Sequence, residues 1–279
     1  MKNFLKAKWL KDHLGDKDLI LIDIRYSRAM PEEGQLNYEK GHIPGAYYLS
    51  WEDVFLGPIH EHGGYGSLPE ESEFKDVFSN LGYMAGKKVV FYGQHLKELA
   101  RAWFVCKVMG INDVYLLYGG MDEWNHIGGN IETSIPKLPA KTEFDLKVDN
   151  SFICDRKCLL DSLVLDNKVV IDVRNYRDYA GVEGNKKTGH IEGARHHYWR
   201  KNLELGSDIN ILNPNQLEEH YRYLEDAEEI IVYSGLGLSA CVAYLGLSEI
   251  GYDARIYLGG LSDWVSYVDG ELVQNVEDF

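Results

Sequence analysis

Short apolar runs recur along this chain, and turn and helix signals fill the gaps between them. Leu19 to Ile24 and Lys168 to Val173 are runs of the kind that buried parallel strands carry, and Val89 to Tyr92 and Ile230 to Tyr233 repeat the pattern. Helix starts stand between them. Ser67-Leu68-Pro69-Glu70 has capping-box spacing with proline in the first turn. Asn213-Pro214-Asn215-Gln216 repeats the signal, with Asn213 as N-cap, Pro214 as the first helical residue and Gln216 two residues further on. A further helical stretch runs from Val242 to Ile250. Strands alternating with helices predict an α/β fold built on mostly parallel sheets flanked by helices.

The same pattern occurs twice. GHIPGA at Gly41 to Ala46 returns as GHIEGA at Gly189 to Ala194. Asp23-Ile24-Arg25 returns as Asp172-Val173-Arg174, and Val90-Phe91-Tyr92 as Ile231-Val232-Tyr233. The Gly119-Gly120 pair leading to Trp124 returns as Gly259-Gly260 leading to Trp264. The offset drifts from 149 residues at the Asp-x-Arg strands through 148 and 141 to 140 at the glycine pairs. Ordered matches with a slowly falling offset mean duplication with small deletions. The expected organisation is one domain over 1–133, a linker over 134–149 that includes Pro136 and Pro139, and a second domain over 150–279.

Composition narrows the function classes. Apolar residues make up 45% of the 279 and charged residues 26%, which suits a buried core and argues against disorder. The net charge of −15 repels phosphate backbones and anionic lipid, so neither nucleic acid nor membrane is an expected partner. No apolar run approaches the roughly 20 residues of a membrane span, and the lysine-containing start has no continuous apolar stretch of the signal-peptide kind. Four cysteines, Cys106, Cys154, Cys158 and Cys241, are too few for a disulfide scaffold. A cytoplasmic protein with reduced thiols is the expectation, with Cys154 and Cys158 read as helix packing and Cys241 as a small buried side chain.

In open parallel sheets, ligands bind at the carboxyl ends of strands. The strand ending at Tyr233 runs into Ser234-Gly235-Leu236-Gly237-Leu238-Ser239-Ala240 and then a helix; its counterpart begins at Gly93. A glycine-containing turn into a helix aims backbone N–H groups at one spot, where the helix dipole favours an anion or an anionic nucleophile.

On the Asp-x-Arg strands, the GHIPGA and GHIEGA segments, the Leu-Pro-Glu-Glu helix start, the turn before the helix and the Gly-Gly-x-x-x-Trp segments, the chain resembles the tandem-domain rhodanese family of thiosulfate and 3-mercaptopyruvate sulfurtransferases. The resemblance spans roughly 5–133 and 150–275. It implies two rhodanese-like α/β domains, the first without a nucleophile and with Gly93 at the corresponding position. It implies sulfane-sulfur transfer through a cysteine persulfide at position 234, cradled by the amides of Gly235, Leu236, Gly237, Leu238, Ser239 and Ala240. A small anionic sulfur donor and a thiol or cyanide acceptor follow as partners, with no metal and no organic cofactor.

Position 234 departs from the family, because it holds Ser. A hydroxyl without an adjacent base is a poor nucleophile and forms no persulfide, so this chain is expected to be inactive. An engineered replacement and a natural, non-catalytic relative that binds anions or regulates are equally consistent with the residue, and a serine-dependent reaction ranks below both. The neutral loop resembles that of the mercaptopyruvate enzymes, yet Ala180 occupies a position where those carry arginine. Arg177, Lys186 and Lys187 are the candidate contacts for the substrate anion.

Rival readings are weaker. Gly235 to Ala240 fits a dinucleotide fingerprint but lies late in its half and lacks the following ribose-binding acid. A phosphatase loop needs Cys and Arg where Ser234 and Ala240 stand, and a serine-hydrolase elbow needs a glycine two residues before the serine. His60, His62, His196 and His197 lack a third metal ligand at a known spacing. Asp23 with Arg25 and Asp172 with Arg174 read as structural ion pairs, because both halves have them. Trp124 and Trp264 read as core.

Overall fold

A computed structural model describes residues 1–165, 167–182, 185 and 188–274. The chain forms two compact units. The first comprises 1–56, 68–149 and 206–210; the second comprises 57–67, 150–205 and the chain from 211 onward.

The first unit runs β1 (Phe4–Leu5), α1 (Ala7–His13), β2 (Leu19–Asp23), α2 (Glu33–Lys40), β3 (Tyr47–Tyr48) and α3 (Trp51–Phe55). It continues with α4 (Glu71–Asn80), β4 (Lys88–Tyr92), α5 (Leu96–Val108), β5 (Val114–Leu117) and α6 (Gly120–His126). The second runs β6 (Ile153–Cys154), α7 (Arg156–Leu163), β7 (Lys168–Asp172), α8 (Tyr176–Ala180) and β8 (Arg195–His196). It continues with α9 (Pro214–Tyr221), β9 (Glu229–Tyr233), α10 (Leu238–Glu249), β10 (Ala254–Tyr257) and α11 (Gly260–Trp264). The five-stranded sheets have the same order, β1-β5-β4-β2-β3 and β6-β10-β9-β7-β8, and every strand pair in both is parallel. The four apolar runs of the sequence are the central strands β2, β4, β7 and β9. Each is buried along nearly its whole length, which is why they lack polar alternation.

The duplicated motifs brace each sheet at its carboxyl edge. Arg25 donates to both carboxylate oxygens of Asp23 and, through Nη2, to the Gly41 carbonyl at 2.8 Å. Arg174 does the same with Asp172 and the Gly189 carbonyl, the latter at 2.6 Å. Both carboxylates are fully buried, so each guanidinium neutralises a charge that burial alone would make costly. The Tyr92 and Tyr233 hydroxyls accept the N–H groups of Ile43 and Ile191, fixing the GHI segments. Trp124 and Trp264 lie in the core clusters of their units, where truncation of such a ring to alanine costs about 3–5 kcal/mol.

Two sequence expectations are corrected. The start of α4 is Glu71, with Glu70 as N-cap and no side-chain cap. Ser67 does not cap it, because its hydroxyl donates to the Pro58 carbonyl and it belongs to the segment counted with the second unit. Cys154 and Cys158 are not reduced packing residues but form a disulfide. The turn from β6 into the first turn of α7 brings their Cα atoms to 5.4 Å, within bridging range. The box at Asn213, Pro214 and Gln216 forms with both reciprocal bonds. Residues 134–149 pack along the first unit, with Thr142 bonded to Ser79 and Tyr83 and Asp149 to Val108. No helix among the described residues is long and apolar enough to cross a membrane.

Candidate active site

β9 ends level with β7, Tyr233 beside Asp172, and four residues then lead into α10. Gly237 occupies the N-cap position at φ +77°. A side chain there would be strained in the left-handed region and would overlap the Leu258 carbonyl oxygen, so the turn requires glycine. The carbonyls of Ser234 and Gly235 accept the N–H groups of Leu261 and Ser262 at 2.8 and 3.0 Å. With its first two carbonyls held by α11, the turn leaves its donors uncommitted. The N–H groups of Gly235, Leu236, Gly237, Leu238, Ser239 and Ala240 meet no acceptor among the described residues. The last three belong to the first turn of α10, where intrahelical acceptors do not exist.

Ser234 opens this turn. It is 2% exposed, and its Oγ has no hydrogen-bond partner among the described residues. A buried hydroxyl left in that state costs free energy on the order of 1–3 kcal/mol unless a ligand satisfies it. The aliphatic stem of Arg174 passes beside Gly235, its Cδ 3.8 Å from where a Cβ would stand. Burial works against its charge, but the hydrogen bonds and charge of Asp172 more than offset this and raise its pKa. Its guanidinium is therefore held by Asp172 and Gly189, and its charge reaches the turn only through space. α10 has no acidic residue in its first turn.

The other predicted residues are more dispersed. Arg177 is exposed on α8, and Ala180, at the end of that helix, is buried. Lys186 and Lys187 lie outside the described residues. Cys241 is fully buried within α10. His62 bonds Ser266 at 2.8 Å and stacks on Tyr267, while His196 bonds the Arg174 carbonyl. No group of three metal-ligating side chains occurs among the described residues.

Sequence reasoning missed the segment 57–67, which covers part of the turn. Gly66 packs so closely on the Leu236 carbonyl that any side chain there would overlap it. The Gly63 N–H donates to Asp263 Oδ1 at 2.6 Å, and the Tyr257 hydroxyl donates to the other carboxylate oxygen of Asp263. The three glycines in His62-Gly63-Gly64-Tyr65-Gly66 are the only sequence signal that a backbone approaches closely here.

The profile of the rhodanese-like domain matches residues 6–127 and 157–267. A probable 3-mercaptopyruvate sulfurtransferase of Pseudomonas aeruginosa is 30% identical over 271 residues, covering 94% of each chain. A putative thiosulfate sulfurtransferase, SseB, of Mycobacterium tuberculosis is 30% identical over 260 residues, covering 88% of this chain and 87% of its own. The crystal structure of the 3-mercaptopyruvate sulfurtransferase SseA of Escherichia coli shares the fold at a TM-score of 0.77 and 23% identity, over 92% of this chain and 98% of that one.

Proposed function

This chain belongs to the rhodanese-like domain family, and on that premise we propose that its second unit carries a sulfurtransferase site of the thiosulfate or 3-mercaptopyruvate type. We read the Ser234 form as one that holds the sulfur donor without passing its sulfur on. The observation that carries this is the run of six amides at the amino end of α10, opened by a buried hydroxyl, none of which meets a partner among the described residues. Such a cradle favours an anion, and the Ser234 O–H supplies one more donor to it.

With cysteine at position 234, the same amides and dipole favour the thiolate over the thiol. The thiolate attacks the outer sulfur of thiosulfate. A sulfur–sulfur bond forms to the protein, and sulfite departs with the electron pair of the bond that breaks. With 3-mercaptopyruvate the carbon–sulfur bond breaks instead, and the departing enolate takes a proton from solvent to become pyruvate. Cyanide or a thiolate then takes the outer sulfur, restoring the cysteine thiolate. Serine does neither step, because no base bonds its Oγ and an unassisted hydroxyl is not ionised near neutral pH.

The test is the Ser234→Cys chain. We expect thiocyanate release from one or both donors, and one added sulfur atom by intact mass, where the Ser234 form gives neither. A Ser234→Cys protein that is folded yet inert with both donors sinks the transfer reading. Calorimetry of the Ser234 form with thiosulfate at low salt tests the holding reading, and absence of binding removes it.

A further inference from the structure

We infer that Cys154 and Cys158 form a redox-active dithiol–disulfide pair, a site of thiol–disulfide exchange with small thiols and their disulfides. The inference is independent of the function proposed for the Ser234 turn.

Three observations separate this bridge from a structural staple. The bond closes a loop of only four residues' separation, so it restricts the unfolded chain little. That loop is already closed without it: Asp155 Oδ1 accepts the Cys158 N–H at 2.7 Å, and the Asp155 carbonyl accepts that of Leu159 at 3.0 Å. The fold at this point therefore does not depend on the disulfide.

The two sulfurs are also unequal. Cys154 ends β6 and is 1% exposed, inside the core cluster with Tyr233, Tyr257 and Trp264. Cys158 is half-buried in the first turn of the eight-residue α7. Cys158 packs against that cluster but is the less enclosed of the two residues, an inequality of the kind that separates an attacking from a resolving thiol.

Cys158 stands in the first turn of α7, where the side chain is only partly covered. The remaining cysteines are different. Cys106 and Cys241 are fully buried, and burial pushes the Cys106 thiol well up.

The exchange balances as follows. In the reduced pair the Cys158 thiolate attacks a disulfide R–S–S–R, forming a mixed disulfide at Cys158 and releasing one RS⁻. Cys154 loses its proton to solvent and attacks Cys158 Sγ, closing the protein disulfide and releasing the second RS⁻. The substrate gains two electrons and the pair loses two. Excess RSH runs the same steps backward, entering at the less buried Cys158.

The experiment equilibrates the full chain in glutathione buffers from fully reduced to fully oxidised, quenches with an alkylating reagent, and maps the label by mass spectrometry. We expect Cys154 and Cys158 to pass together between two labelled thiols and none, reversibly and with unchanged far-ultraviolet circular dichroism. Cys154→Ser, or Cys154→Ala should serine not be tolerated in the core, should take up one glutathione at Cys158. Cys158→Ser should take up at least tenfold less at Cys154. The inference is overturned if the bond never opens in the folded chain, if it never closes, or if the Cys154 variants take up no glutathione. The wild-type titration alone decides the first two outcomes.

Discussion

The two strand-to-helix turns descend from one ancestor and now differ in three ways that all bear on anions. The turn after Tyr92 has three residues, Gly93 to His95, whereas the turn after Tyr233 has four, and the added one is the left-handed Gly237. The Leu96 N–H at the start of α5 is taken by the Asp208 carbonyl at 2.8 Å, whereas six amides at α10 have no acceptor among the described residues. The first turn of α5 contains the buried carboxylate of Glu98, beside Lys97, where α10 has Ala240. A helix whose amino end already faces its own carboxylate and a backbone acceptor has little field left for a ligand. The fold thus supplies the geometry twice, and a backbone carbonyl and a carboxylate switch it off once.

The largest expected effect comes from placing the same thiol in both turns. Gly93→Cys is sterically allowed, since the nearest atoms a Cβ there meets, on Leu99 and Ile24, lie at 3.5–3.6 Å. Its thiol should titrate at or above the ordinary value of about 8.5, with Glu98 opposing ionisation, while that of Ser234→Cys titrates below it. Sulfur-transfer rates should differ by at least about 100-fold, the scale on which preorganised amide donors act. Equal rates or equal titrations would show that the amides and Glu98 are not what distinguishes the turns.

Alanine at the two glycines sharpens the same contrast in stability. Gly237→Ala forces a Cβ into the left-handed region and against the Leu258 carbonyl, so a loss of about 2 kcal/mol or more is expected. Gly93→Ala has neither problem and should stay within about 0.5 kcal/mol of the parent. Urea midpoints for the two proteins check this, and a mild Gly237→Ala would mean that the cradle geometry is adaptable.

How far the sequence carried these conclusions follows from what each feature depends on. The buried strands, the capping box at Asn213 and the Asp-x-Arg braces are local patterns, and repetition doubled the signal of the strands and the braces. The engagement of Leu96 by Asp208, the approach of Gly66 to Leu236 and the pinning of Gly63 by Asp263 join residues far apart in the chain, and no local pattern encodes them. The disulfide was misread for a related reason. Two cysteines four apart match helix spacing, but the helix begins between them, and only the position of Asp155 as N-cap turns the pair into a bridgeable turn. Ser67 failed as a cap because its hydroxyl had a distant partner in Pro58.

The smallest effect compares another duplicated position, where the backbone is the same and the side chain is not. The N–H groups of Leu49 and His197 each donate to the carbonyl of the buried aspartate on the neighbouring strand, Asp23 and Asp172, both at 3.0 Å. Leucine at the first site has nothing to ionise. His197 is 4% exposed and stacks on Tyr221, with Nε2 lacking a hydrogen-bond partner among the described residues. Burial, helped by the nearby Lys201, His220 and His196, lowers its pKa to about 3. The unfolded chain therefore binds the proton from about pH 6.5 downward while the folded chain refuses it until near pH 3. The stability associated with the neutral ring is complete above about pH 6.5 and is lost progressively as the pH falls toward 3, on the order of 2 kcal/mol by pH 5. Hydrogen exchange followed from pH 7 to 5, corrected for intrinsic rates, should show the second unit losing protection relative to the first, and His197→Leu should reduce that difference. If the substitution leaves the acid sensitivity of the second unit unchanged, the ring is not its source, and the difference between the two units must be sought among their carboxylates.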